Sequence, residues 1–160
     1  MQTPLPVAQQ VGDALKQRGE TIAVAESSSG GLIAASLLSV AGASAYFVGG
    51  VVSYTRKSMS ELLKLGEDDF KQMRGLTEPT ALIMARAIRT KLSTSWAIAE
   101  IGASGPTGSR YGDAAGTSAI AIVGAKEQAI VVKTGSADRI ANMEKFAKEA
   151  LELLQHLIAS

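Results

Sequence analysis

The chain has 160 residues, 46% hydrophobic and 19% charged, which suits one buried core in a single domain over 1–160 and excludes a disordered chain. Sixteen Lys and Arg against fifteen Asp and Glu leave a net charge of +1, with the charges scattered, which argues against nucleic acid as a partner. Cysteine is absent and histidine occurs once, as His156, so disulfides, thiol nucleophiles, cysteine metal sites and a multi-histidine metal site are all excluded; a reducing, cytoplasmic setting fits this usage.

The opening MQTPLPVAQQ lacks a basic stretch followed by an apolar run, which reads against a signal peptide. Over residues 4–18, Val7, Val11 and Leu15 recur every four positions and predict an amphipathic helix ended by Gly19. Residues 20–26 form a short apolar run and predict a buried strand. Leu32, Ile33, Leu37 and Leu38 predict a second helix over about 30–40, closed by Gly42.

Residues 45–54 are aromatic and β-branched and predict a strand, in which the pair Gly49-Gly50 marks a bulge or a close backbone approach. No charge occurs from Ser27 to Thr55. Serines and glycines interrupt that run throughout, so a helix, a turn and a strand explain it better than a membrane span.

Two short helices are expected over 57–64 and 67–74. A longer one follows from Thr77 as N-cap, with Pro79 in its first turn, to about residue 92. Trp96–Ile101 predicts a strand and 102–116 a long glycine-rich loop. Residues 117–123 and 128–134 predict a hairpin, and 137–158 a final helix with His156 in its last turn, where the dipole favours it. The alternation predicts an α/β fold: a three-layer α/β/α sandwich around a mixed, mostly parallel sheet.

Two segments hold the candidate chemistry. In Ala25-Glu26-Ser27-Ser28-Ser29-Gly30-Gly31 a buried strand meets a helix, the place where α/β sheets bind ligands. Its hydroxyls and N–H groups could take an anion, stabilise an oxyanion, or simply cap the helix. Glu26 could orient a hydroxyl or accept backbone N–H groups. The second segment, Gly102 to Gly108, also follows an apolar strand, and its 15-residue loop is long enough to suggest function over mere connection. Neither segment is a Walker A, a dinucleotide fingerprint or a nucleophile elbow. Tyr54, Arg56 and Lys57 could face the same sheet edge.

Together these segments resemble the CinA C-terminal domain family, whose stand-alone form is nicotinamide mononucleotide deamidase. The family's AESCTGG element is similar to AESSSGG at 25–31. Its GIAGPxGG loop resembles Gly102-Ala103-Ser104-Gly105-Pro106-Thr107-Gly108-Ser109, its PVGTV element resembles 114–118, and its GDR helix start resembles Ala137-Asp138-Arg139.

The resemblance implies the three-layer fold, a homo-oligomer, a small-molecule nucleotide as ligand, and amide hydrolysis to nicotinate mononucleotide and ammonia without a metal or cofactor. By position it implies Ser27 as nucleophile and Tyr54 as its assistant. Ser28, Ser29, Gly30, Gly31, Ser44, Gly102, Ser104, Gly105, Thr107 and Arg139 fall at substrate-binding positions. The family's lysine base, five residues after the tyrosine, corresponds to Met59, which leaves Lys57 as the candidate replacement. The same resemblance leaves room for a catalytically impaired paralogue that binds a nucleotide or a partner protein through this cleft.

Overall fold

The computed structural model describes residues 6–160. The first helix, α1, spans Pro6–Arg18; the expected start at residues 4 and 5 lies outside the described residues. There follow β1 (Ile22–Glu26), α2 (Leu32–Leu38), a 3₁₀ turn (Ala43–Ala45) and β2 (Phe47–Val52). Next come α3 (Arg56–Leu63), α4 (Glu67–Gln72), α5 (Glu78–Leu92) and β3 (Trp96–Ala103). The hairpin β4 (Thr117–Val123) and β5 (Gln128–Lys133) and the last helix α6 (Arg139–Ala159) complete the chain.

The sheet runs in the order β2-β1-β3-β4-β5. β1 pairs in parallel with both β2 and β3, and β4 pairs antiparallel with β3 and β5. The mixed sheet and its two helical layers match the expected architecture.

The strands sort their side chains by size. On one face stand Ile22, Val24, Trp96, Ile98, Ile120 and Ile122, buried with Val11 and Leu15 of α1, Ile33 and Leu37 of α2, and Leu151 and Leu154 of α6. The other face carries Ala23, Ala25, Ala97, Ala99, Ala119 and Ala121, packed with Ala81, Met84, Ala85 and Ile88 of α5. Successive strand residues point to opposite faces, so large-small alternation builds a deep three-helix layer on one side and seats α5 close on the other.

The uncharged stretch 27–55 forms α2, the 3₁₀ turn and β2, and no described helix is long and apolar enough to cross a membrane. α2 stops at Leu38, short of Val40, and Gly42 with φ 83° caps the 3₁₀ turn instead of closing α2. β3 runs two residues further than expected, because Gly102 and Ala103 still pair with Ser118 and Thr117. His156 is exposed in the last turn of α6.

Both expectations for Gly49-Gly50 hold. The β1–β2 register shifts between Ile22 and Ala23, opposite Phe47 and Gly49. A Cβ on Gly50 would stand 2.9 Å from the Val24 carbonyl oxygen and 3.3 Å from the Val24 Cβ. Backbone cannot yield there as a flexible side chain could. Gly50→Ala is therefore expected to destabilise the fold by about 1–3 kcal/mol, read as a lower urea midpoint with an unchanged slope. An unchanged midpoint would show that β2 is free to move off β1.

Candidate functional site

β1 lies between β2 and β3, so the chain leaves its carboxyl end at a point where neighbouring connections diverge, the usual crevice of an open α/β sheet. The in-register pairing of β1 with β3 sets Glu26 beside Glu100. Both carboxylates are completely buried. Isolated charges there would be costly, and each is surrounded by donors.

Glu100 accepts hydrogen bonds from the backbone N–H of Ser27 (3.1 Å) and Ser29 (2.9 Å). It also accepts from the hydroxyls of Ser29 (2.8 Å), Ser118 (3.1 Å) and Ser28. Glu26 accepts from the Ser29 hydroxyl (2.6 Å) and from the N–H groups of Ile33 (3.1 Å) and Ala34 (2.9 Å) in the first turn of α2. Strand β3 thus holds the 27–29 turn, and β1 holds the helix that follows. Gly30 and Gly31, with φ of 66° and 102°, let the chain reverse between the two.

Burial pushes the Glu26 carboxyl above its ordinary value near 4.5; the bonds from Ser29, Ala34 and Ile33 draw it down, and the neighbouring Glu100 adds to the rise. The Ser29 hydroxyl lies within hydrogen-bond distance of both carboxylates, 2.6 Å from Glu26 and 2.8 Å from Glu100, and ties the two strands' acids together.

The opposite side of the turn faces a cleft of about 560 Å³. Ser27, Ile101 and Gly102 line its floor side, with Tyr54 to Lys57, Met59, Phe70 and Tyr111 among its other walls. Ser27 is 4% exposed, and its hydroxyl forms no hydrogen bond within the described residues. Ser28 and Ser29 line no part of the cleft; their hydroxyls are committed to Glu100 and Glu26.

The expected sheet edge does gather Ser27, Tyr54 and the 102–109 loop. Tyr54 is exposed, and its phenol oxygen accepts from Arg139 Nη2 at 3.5 Å, while Arg139 Nη1 donates to the Gly105 carbonyl at 2.5 Å. Ser104 is buried and donates to the Ser28 carbonyl at 3.3 Å. Gly102 has no room for a side chain: a Cβ would meet Ser28 Oγ at 2.6 Å. Lys57 is exposed and is the one lysine on the cleft wall.

Besides Ser28 and Ser29, seven expected residues line no part of the cleft: Gly30, Gly31, Ser104, Gly105, Arg139, Ser44 and Thr107. Ser44 sits in the 3₁₀ turn before β2, at the end of that strand away from the cleft, and Thr107 is exposed and lines no part of it. Met59, at the position of the family's lysine, is buried at the cleft with Leu63 and Met84 beside it in the core.

Sequence reasoning missed Glu100, although a lone charge inside the apolar run Trp96–Ile101 was a signal. It also missed Asn142, a buried clamp whose side-chain NH2 donates to the carbonyls of Ser104 (2.8 Å) and Ser136 (2.9 Å). Asp113 went unmarked too. Its carboxylate accepts from Leu76 N–H (3.2 Å) and Ser109 Oγ (2.7 Å), fixing the far end of the loop.

The profile of the CinA C-terminal domain matches residues 5–158. This chain belongs to the CinA C-terminal domain family. It is 34% identical to a CinA-like protein of Chloroherpeton thalassium, across 98% of this chain and 38% of that protein. It is 36% identical to a CinA-like protein of Salinibacter ruber, across 89% of this chain and 34% of that one. The chain thus spans little more than a third of these relatives. Among solved structures, a CinA superfamily protein from Klebsiella pneumoniae 700603 superposes with a TM-score of 0.91 at 26% identity, covering 99% of both chains.

The Glu26 environment has a testable pH dependence. A carboxyl whose folded pKa is raised binds more protons folded than unfolded, so its contribution is fully present below the unfolded value and is lost as pH rises through the folded one. Relative to Glu26→Gln, the native protein should lose stability as pH rises from about 4.5. Urea midpoints of both proteins across that range check this; a difference that is flat, or that grows in favour of the native chain, would contradict it.

Proposed function

We propose that this CinA-family chain binds a pyridine mononucleotide in the cleft and hydrolyses its carboxamide through Ser27, with a slow chemical step. The observation that carries this is the pairing of an uncommitted Ser27 hydroxyl with a cleft whose charged lining residues, Arg56, Lys57 and Arg110, are all cationic. A phosphate-bearing ligand satisfies those cations and can bring an amide to the serine.

The reaction runs in two stages. Ser27 Oγ loses its proton and attacks the carboxamide carbon, the C–N bond breaks, and ammonia leaves with the transferred proton. Water then cleaves the acyl-serine ester, giving the carboxylate of nicotinate mononucleotide and restoring the hydroxyl. A serine hydroxyl needs a base for the first stage. Among the described residues none is hydrogen-bonded to Ser27, and Met59, buried on the same cleft, is apolar. Lys57 reaches the same cleft from its exposed wall and is the base available to this chain. The N–H groups of Ser27 and Ser29 belong to Glu100, so stabilisation of an oxyanion falls to other donors.

Purified protein incubated with nicotinamide mononucleotide should release ammonia slowly, and Ser27→Ala should release none while unfolding at the same urea midpoint. General-base assistance is worth about 10²–10⁴-fold, so Met59→Lys should raise the rate by about 10²-fold once folding of the variant is checked. Fast native turnover abolished by Lys57→Ala would show that the native base is already fully effective. Binding without ammonia release in native protein and in Met59→Lys alike would favour a repurposed nucleotide-binding paralogue, a reading that the apolar Met59 supports.

A further inference from the structure

The cleft opens beyond its aromatic wall. A second cavity of about 550 Å³ adjoins it, and Arg56, Phe70, Met73, Gly75 and Tyr111 line both. Small-ligand sites typically occupy about 300–1,000 Å³. The first cavity alone therefore accommodates a mononucleotide, and the second has room for another half of similar size.

The charges follow the same division. The first cavity has no carboxylate on its walls; the second adds Lys71, Arg74 and one carboxylate, Asp113. Asp113 is already held by Leu76 N–H and Ser109 Oγ. Lys71 faces Asp68 at 3.7 Å in an exposed and weak pair.

Among the described residues, Arg56, Lys57, Arg74 and Arg110 form no ion pair, whereas Lys16, Arg18, Arg86, Lys145 and Lys148 each do. Four cations without an ion pair thus line this one groove, while Lys64, Arg89, Lys91, Lys126, Lys133 and Arg139, also without one, line neither cavity. Arg56 is fixed 4.3 Å over the Phe70 ring, at the wall the cavities share, which keeps its charge available to an anion. Arg74 spends only Nε, on the Lys71 carbonyl at 3.3 Å, and its terminal nitrogens are free.

One phosphate does not account for cations spread over two cavities. We propose that the groove takes a pyrophosphate-bridged dinucleotide, resting on the reading of the first cavity as a nucleotide site. The amide-bearing half occupies the Ser27 cavity, the pyrophosphate lies at Arg56, and the second nucleoside enters the Arg74 cavity. Tyr111, largely exposed, offers an aromatic face there, and such a face stacks with any base.

Titration calorimetry with nicotinamide mononucleotide and with NAD as probes tests this, on native protein and on Arg74→Ala. Arg74 is exposed and lines only the second cavity, so its replacement leaves the fold and the first cavity intact. NAD is expected to bind native protein about tenfold more tightly than the mononucleotide, as one charge-assisted contact allows. Arg74→Ala should remove most of that advantage and leave mononucleotide affinity unchanged. NAD binding no tighter than the mononucleotide, or an advantage untouched by Arg74→Ala, would overturn the dinucleotide site and leave the proposed function standing. Failure of both probes to bind would overturn both. Arg74-dependent binding of NAD without any binding of the mononucleotide would sustain the groove and remove the mononucleotide as its substrate.

Discussion

The buried carboxylate of Glu100 is the constraint on which the site depends. An ion in that position loses its hydration, a cost of several kcal/mol, and only a full set of donors offsets it. The donors come from the turn that follows β1: two backbone N–H groups and two hydroxyls, joined by Ser118 from β4. Removing the carboxylate would leave those groups buried without partners, which is why such anchors resist substitution more than a surface pair does. Gly102 completes the fit, because any side chain there would press on the Ser28 hydroxyl. The turn is therefore held from two strands, β3 and β4, and its own backbone conformation follows.

That anchoring divides three consecutive serines by role. Ser28 and Ser29 turn inward and act as ligands of the carboxylates, while Ser27, one residue earlier, presents its hydroxyl to the cleft. The same bonds that make the turn rigid use the N–H groups of Ser27 and Ser29, so rigidity is obtained at the expense of oxyanion donors. The cleft above is apolar at Met59 and Ile101 and cationic at its walls. On the proposed function, the cationic walls serve an anionic ligand while the apolar Met59 and Ile101 give no help in removing the Ser27 proton.

Much of this was legible in the sequence. The short apolar runs at 20–26 and Trp96–Ile101 marked buried strands. Gly49-Gly50 marked a close approach, and collinear glycine and serine segments marked the sheet edge where the cleft lies. Partnerships across long separations were not legible. Glu100 meets Ser27 from 73 positions away, and local pattern carries no trace of which strand becomes its neighbour. The inward turn of Ser28 and Ser29 follows from that pairing and was hidden with it. Ser44 was placed in the site by family position alone; the direction of β2 carries it to the other end of the sheet. Element ends shifted by a residue or two where pairing, as at Ala103, outlasted the apolar pattern.

Amide hydrogen exchange at Ser27 and Ser29 tests the role of Glu100 most directly. If the carboxylate holds the turn, both amides in native protein exchange far more slowly than in an open loop. In Glu100→Ala they should exchange rapidly, while Ile33 and Ala34, held by Glu26, keep most of their protection. Rapid exchange of Ser27 and Ser29 in native protein, or protection that survives Glu100→Ala, would contradict the account.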